Sequence, residues 1–356
     1  MKTAIIFTSK YLEHDTGKDH PESPARLRVI RKELEKSGLL ETQRCAIVKP
    51  KPARLKDVEL VHEPDYINLV KRLCKSGGGL LDLSDTVVSP KSFEVALLAV
   101  GGAIEAVKLV AAEKFQNAFA LVRPPGHHAG RYYALGFCIF NNAAVAAEYL
   151  LRYFGLKRIL ILDIDAHHGN GTQEIFYNTN KVLYLSLHQD PRGFPGTGFI
   201  DEVGKQEGRG YTVNLPFPFR TPDKVYLKAF DQIVIPITQQ YKPEFILVSV
   251  GFDGYYADPV GALSLSAQIY TEVFSKILNW ASQFCNGKLV AILEGGYHLE
   301  ALGRMTSSVI AKLARAPYTV RSKRSWQPSA RLERRAERVI EEVKRVQSSF
   351  WVFEDS

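Results

Sequence analysis

Apolar positions along the chain follow two alternating patterns. Short runs rich in β-branched residues stand at 4–7, 119–122, 158–162, 182–187, 211–215, 245–250 and 289–293. Several of them lack polar alternation, which predicts strands buried on both faces, as in a parallel sheet covered by helices. Between them lie helical periodicities over 141–154, 222–240, 266–284 and 300–314. Ser23-Pro24 and Ser89-Pro90 each read as an N-cap followed by proline at N1, and Gly38 ends the first of these two helices. The alternation predicts one α/β domain: a single open, mostly parallel sheet with helices on both faces.

Composition narrows the class. At roughly 100–200 residues per domain, 356 residues allow one large domain or two ordinary ones. No linker or repeat divides the chain before Pro317, so 1–316 reads as the α/β domain and 317–356 as a basic, partly helical C-terminal extension. Apolar residues at 46% and charged residues at 24% exclude disorder as the main state. Cys45, Cys74, Cys138 and Cys285 are too few and scattered for a disulfide scaffold, and none forms a CxxC pair. Buried thiols in a reducing compartment fit them better. No run of 18 apolar residues occurs, the best candidate at 95–112 being broken by Glu105 and Lys108. The apolar stretch at 3–8 is too short for a signal peptide and reads as the first strand. The chain is expected to be soluble and cytoplasmic, with no membrane association.

The net charge of +8 changes the picture only locally. Residues 321–346 hold nine Lys/Arg against four Glu, so the remainder carries only +3. This segment reads as an amphipathic helix packing through Leu332, Val339, Ile340 and Val343. A polyanion-binding arm, reaching nucleic acid through this tail alone, is the alternative.

Candidate chemistry clusters directly after the predicted strands. Arg123-Pro-Pro-Gly-His127-His128 comes after one. Asp163-Ile-Asp165-Ala-His167-His168-Gly-Asn170 comes after another. His188 closes a third, Gly251-Phe-Asp253 to Asp258 succeeds a fourth, and Glu294-Gly-Gly-Tyr297-His298 a fifth. Six of the nine histidines fall in these segments, at the sheet edge where open α/β folds bind ligands. Asp165-x-His167 at an extended strand end points both side chains one way, which suits a metal taking three protein ligands. Asp253 or Asp258 can supply the third. Taken singly each feature has a plain alternative: a hydrogen-bonded turn for Asp-x-His, a helix cap for Asp163, surface histidines in a loop, a core tyrosine at 297.

Together these residues carry a resemblance. PPGHHA, DIDAHHGNG, LSLHQ with FPGTG, GFDGYYADPVG and EGGYH resemble the signature segments of the histone deacetylase family. His20-Pro-Glu-Ser-Pro-Ala-Arg26-Leu is similar to that family's N-terminal segment. HHGNG and EGGY resemble the class II branch and its prokaryotic relatives, which include acetylpolyamine amidohydrolases and acetoin-utilisation-type proteins. The resemblance covers about residues 3–315 and leaves the tail out.

It implies an arginase-like fold and zinc-dependent hydrolysis of an N-acetyl amide. Asp165, His167 and Asp258 would bind one zinc per chain, a set that also accepts Fe²⁺. His127 and His128 would form the acid/base pair, Asp163 orienting the first and Asn170 facing the second. Tyr297 would donate to the substrate carbonyl. Asp85 would grip the substrate backbone at the rim, Phe137 and Phe194 would wall the acyl-lysine channel, and Leu265 would hold a further rim position. A structural K⁺ would take main-chain carbonyls of Asp163, Asp165, His167 and Leu187 with Ser186, and Arg26 would lie deep in an internal cavity. The implied substrate is acetyl-lysine in a peptide or protein. A small acetylated amine such as a polyamine, or an inactive acyl-binding scaffold, are the alternatives; a two-manganese arginase site lacks its full ligand run.

Overall fold

The computed structural model describes residues 2–82, 84–322 and 328–353; Lys323 and Arg324 of the basic segment lie outside the described residues. The described residues form ten strands: β1 Thr3–Ile6, β2 Cys45–Val48, β3 Gly79–Leu80, β4 Val87–Val88, β5 Asn117–Ala120, β6 Ile159–Asp163, β7 Val182–Gln189, β8 Thr212–Phe217, β9 Phe245–Val250 and β10 Leu289–Leu293. Eight form one sheet in the order β2-β1-β5-β10-β9-β6-β7-β8, and every pair in it is parallel. β3 and β4 form a separate antiparallel hairpin.

All seven strands expected from the apolar runs are present, and β1, β5, β6, β7, β9 and β10 are buried along their whole length. Burial at every position requires cover on both faces, because successive side chains point to opposite sides. Helices Ser92–Ala111 and Asn142–Phe154 pack together, the first against β1, β5 and β10. Helices Ala25–Lys36, Ile269–Phe284 and Leu299–Leu313 form a second group around the last of these.

Several local expectations shift. β2 is a short edge strand only buried at Cys45, so its sequence carries no long apolar run. Helices Pro64–Lys75 and Asn170–Phe176 add to those the periodicity predicts. The helix expected over 222–240 is broken by a π-helical turn at Phe230–Val234, just before Pro236, whose missing N–H and bulky ring disfavour a regular turn. Neither Ser-Pro pair supplies a side-chain cap. Pro24 is itself the residue before helix Ala25–Lys36, and at the second site the Ser92 hydroxyl reaches back to the Ser89 N–H at 2.7 Å. Gly38 does lie just beyond the first helix, at φ +68°.

Helix Ala330–Gln347 covers the outer edge of β8. Its buried stripe is Ala336, Ile340, Val343 and Gln347, with Leu332 and Val339 half-buried. Gln347 donates from Nε2 to the Thr212 carbonyl at 3.1 Å and Trp351 from Nε1 to Gly210 at 2.9 Å. These bonds satisfy carbonyls at the margin of an edge strand, which otherwise stand open to pairing. Among the described residues, no helix is long and apolar enough to cross a membrane.

Candidate active site

β5, β10, β9, β6 and β7 are contiguous in the sheet, so the five polar segments that succeed them emerge side by side at its carboxyl edge. The Asp-x-His step does not work as an extended strand end. β6 stops at Asp163, and Asp165 accepts the His167 N–H at 2.9 Å, so a side-chain-capped turn brings the pair together. The Asp165 Oδ1 then lies 3.4 Å from His167 Nδ1. Asp253 approaches from the β9 end, its Oδ2 2.9 Å from the same nitrogen and its Oδ1 accepting the Ala166 N–H at 2.9 Å. Donor atoms of Asp165, His167 and Asp253 all lie within 4.8 Å of one another. The approach needs glycine at 251, where a Cβ would stand 2.0 Å from Asp165 Oδ2.

Asp258 is held differently. Its Oδ1 accepts Val260 and Gly261 N–H, and its Oδ2 accepts Tyr297 and His298 N–H at 2.7 and 3.0 Å. The carboxylate is therefore seated beside Tyr297 and outside the three-residue cluster.

The two adjacent histidines are buried with ring centroids 4.0 Å apart. His127 Nδ1 is 3.0 Å from Asp163 Oδ2, which also accepts the Tyr184 hydroxyl at 3.1 Å. His128 Nδ1 is 2.7 Å from Asn170 Oδ1. Burial opposes charge on both rings. At His127 the carboxylates of Asp163 and Asp165 outweigh burial and lift its pKa to about 10. At His128 burial and the neighbouring His127 together push it well below the ordinary histidine value. The two imidazoles are thus pushed in opposite directions, a carboxylate partner favouring the charged form of His127 and burial with an amide partner the neutral form of His128. Burial likewise opposes charge at His167, but Asp165 and Asp253 raise it to about 10. Burial raises Asp253, while His127 and His167 hold the Asp165 carboxyl below the usual range.

Aromatic rings enclose this group. Phe194 stands 5.0 Å from the His128 ring and 5.9 Å from His167, and Phe137 stands 5.8 Å from Tyr297. Phe137 adopts φ +68° after Gly136 at φ +53°, and its N–H donates to Thr86 Oγ1 at 3.1 Å, which ties it to the β3–β4 hairpin. Asp85 sits half-buried in that hairpin turn, its carbonyl 3.1 Å from His20 Nε2. Tyr297 is half-buried, with Arg26 Cζ 4.9 Å from its ring centre.

Leu265 differs from the expectation. It is 1% exposed, and its N–H and carbonyl pair with Gly254 and Tyr256, so its side chain belongs to the core and offers no open rim position. Ser186 lies opposite Asp163 in the β6–β7 register, with its hydroxyl 2.8 Å from His188 Nδ1; Leu187 is next to it on the same buried strand.

Some roles carry no clear signal in the sequence, although Glu294 stands in one of the polar segments that follow the strands. Glu294 is fully buried and its Oε2 accepts the N–H of Gly126 and of His127, at 2.7 and 3.2 Å, fastening the histidine loop to β10. Burial raises its pKa to about 7. Tyr184 gives no signal, because a tyrosine inside a buried strand reads as packing. Tyr133 is hidden in a loop beside a second tyrosine.

Residues 20–313 match the histone deacetylase domain family. The chain belongs to that family. A probable deacetylase of Archaeoglobus fulgidus is 41% identical to this family member, over 99% of both chains. The histone deacetylase-like amidohydrolase of Pseudomonas aeruginosa is 38% identical over 78% of this chain and 72% of its own. Histone deacetylase 5 of Arabidopsis thaliana is 37% identical over 88% of this chain, which spans 49% of that longer protein. The crystal structure of the HDA15 HD domain superposes with a TM-score of 0.87 at 35% identity, covering 98% of this chain and 95% of that one. The expected family and its α/β fold are both borne out.

Proposed function

We propose that this chain hydrolyses an N-acetyl amide with the help of a divalent metal, and that its substrate is acetyl-lysine in a peptide or protein. The observation that carries the reading is the pair of buried imidazoles, one on a carboxylate and the other on an amide, set beside a buried carboxylate–imidazole group under aromatic walls. The donor set fits a cation: Asp165, Asp253 and Asp258 are buried acids around one histidine, a concentration of negative charge that needs a positive partner.

The metal is assigned to Asp165, His167 and Asp253, whose donor atoms lie within 4.8 Å of one another, as zinc, with Fe²⁺ acceptable to the same donors. Asp258, the third ligand that the family resemblance implies, is the second reading; both of its carboxylate oxygens accept backbone N–H groups. When bound, the metal supplies a Lewis acid for the amide carbonyl and lowers the pKa of water. The neutral His128 is suited to accept a proton from the attacking water, and the cationic His127 to protonate the leaving amine. Asp163 orients His127. The Tyr297 phenol, kept protonated by burial, donates to the carbonyl oxygen as charge develops there. Phe137 and Phe194 suit the apolar stem of an acyl-lysine, and Asp85 its backbone at the rim. Ser186 with carbonyls at Asp163, Asp165, His167 and Leu187 is assigned to a structural K⁺.

The four cysteines are buried and unpaired, which suits a reducing, cytoplasmic setting. Residues 317–356 are read as an extension that covers a sheet edge.

Metal analysis after dialysis, together with turnover of acetyl-lysine peptide against acetylspermidine in competition, tests the reading. Bound metal and preferred turnover of the peptide are expected; faster turnover of acetylspermidine would make this a polyamine amidohydrolase, and no turnover of either would leave an acyl-binding scaffold. Metal retained by Asp253→Asn and lost by Asp258→Asn would transfer the third ligand to Asp258.

A further inference from the structure

Asp82 shapes the turn of the β3–β4 hairpin from within. Its Oδ1 accepts the N–H of Ser84, Asp85 and Thr86 at 3.0, 2.9 and 3.0 Å, and its Oδ2 accepts the Thr86 hydroxyl. Such local bonds give a turn its form but not its place against the rest of the chain. Strand pairing adds little, since β3 and β4 pair through two residues each and a hairpin that short does not hold itself. Val88 is buried at the base, but Ser84 is exposed and Asp85 half-buried at the tip.

Two bonds from outside place the tip. The Phe137 N–H donates to Thr86 Oγ1 at 3.1 Å, and His20 Nε2 lies 3.1 Å from the Asp85 carbonyl oxygen. One bond alone would leave the tip free to pivot about Thr86; the second removes that freedom. A carbonyl only accepts, so the His20 Nε2 is the donor. On the other side of the ring, Nδ1 lies 3.1 Å from the Glu22 N and 3.2 Å from the Glu22 carbonyl oxygen. It therefore accepts in a neutral ring and donates in a charged one, and Nε2 donates in both. The ring also meets Phe137 edge-on, at 4.8 Å between centroids and 76° between planes. Its support is firm, because the Glu22 side chain is clamped by Arg26 and Arg123 in the interior.

We propose that His20 is a positioning residue for substrate binding: its Nε2–H bond holds the Asp85 peptide, and with it the Asp85 carboxylate, at a fixed place on the channel rim. The inference deepens the hydrolase reading and rests on it for the role of Asp85 at the substrate backbone. That contact is remote from the amide being cleaved, so it binds ground state and transition state alike. Loosening it raises KM and leaves kcat unchanged.

The test compares His20→Phe, His20→Asn and His20→Gln in the full-length protein as purified. Phenylalanine keeps a ring on Phe137 and loses both polar atoms. Asparagine is long enough only for the Glu22 contact, while glutamine can place an amide N–H where Nε2 stood. With acetyl-lysine peptide, KM is expected to rise about three- to tenfold in the Phe and Asn variants, the factor one hydrogen bond is worth, with kcat unchanged. The Gln variant should match the unmodified protein. Amide hydrogen exchange across residues 80–88 should quicken in the Phe and Asn variants and not in the Gln variant, while β9 exchanges at the unmodified rate in all three. An unmoved KM or unmoved exchange in the Phe variant, a fall in kcat in place of the rise in KM, or a Gln variant as impaired as the Phe variant would overturn the proposal. If the unmodified protein leaves the peptide untouched, the hydrolase reading fails, and the exchange rates alone decide whether His20 holds the turn.

Discussion

Replacing Glu22 by glutamine removes a carboxylate that lies between two buried guanidinium groups. Glu22 is 0% exposed, with Oε1 2.7 Å from Arg123 Nε and 3.2 Å from Arg26 Nη1, both arginines also being buried. Burial alone would raise its pKa, but Arg123, His14 and Arg26 overrule burial and hold it at about 2. The substitution keeps the shape and leaves two buried cations short of an anion. Breaking a buried pair in this way costs about 3–5 kcal/mol. With an unfolding entropy near 2.1 cal/mol/K per residue, that lowers Tm by about 4–7 °C in a chain of this length. The sign with pH is set by the depressed carboxyl. Its contribution is fully present above the unfolded value near 4.5 and is lost as pH falls from there toward 2, amounting to about 3 kcal/mol over that interval. Thermal unfolding of both proteins should therefore show a constant gap from pH 8 to 5 and a narrowing one below. Arg26 also donates to the Gly296 carbonyl at 2.7 Å and stands over the Tyr297 ring, so kcat should fall as well. A Glu22→Gln protein with the wild-type Tm at pH 7, or a gap that does not narrow on acidification, would refute the reasoning.

Tyr297→Phe keeps the ring against Phe137 but deletes a donor to the developing oxyanion, so kcat should drop about 10²–10³-fold with metal content unchanged; wild-type turnover would make this a packing tyrosine. Leu265→Glu places a carboxylate at a 1% exposed position, and chemical denaturation should show a loss of at least about 2 kcal/mol, with no gain in polyamine turnover. Gly136→Ala sets a Cβ 2.5 Å from His128 Cδ2 at a residue with φ +53°, and should depress kcat more than it depresses Tm; an unchanged kcat would show that the loop yields freely.

Particular residues mark how far the sequence reaches. Strands β9 and β10 have the bounds expected from the apolar runs at 245–250 and 289–293, because a strand covered on both faces writes its burial into every position. β2 and the β3–β4 hairpin carry little such burial and leave no comparable pattern. On helix Ala330–Gln347 a small alanine and a glutamine take stripe positions where larger apolar residues are expected, since close packing on β8 favours a short side chain at 336 and a donor at 347. Leu265 shows the opposite error: a linear motif fixes its place in the chain after Asp258, but burial depends on whether the backbone then turns inward, and here it does.

The properties that the chain determines by itself are local and additive. Period and burial give a parallel α/β sheet, and residue types at strand ends give a histidine pair, acids and a tyrosine at one edge, the family pattern naming their roles. Only the tertiary structure decides which of those groups touch. Asp163 from β6 reaches His127 after β5, Asp253 after β9 reaches His167, and Arg26 from the first long helix reaches Tyr297 after β10. Charge states are set by those contacts, because burial penalises charge everywhere here and only a neighbouring carboxylate, placed by the fold, reverses the penalty at His127 and leaves it standing at His128.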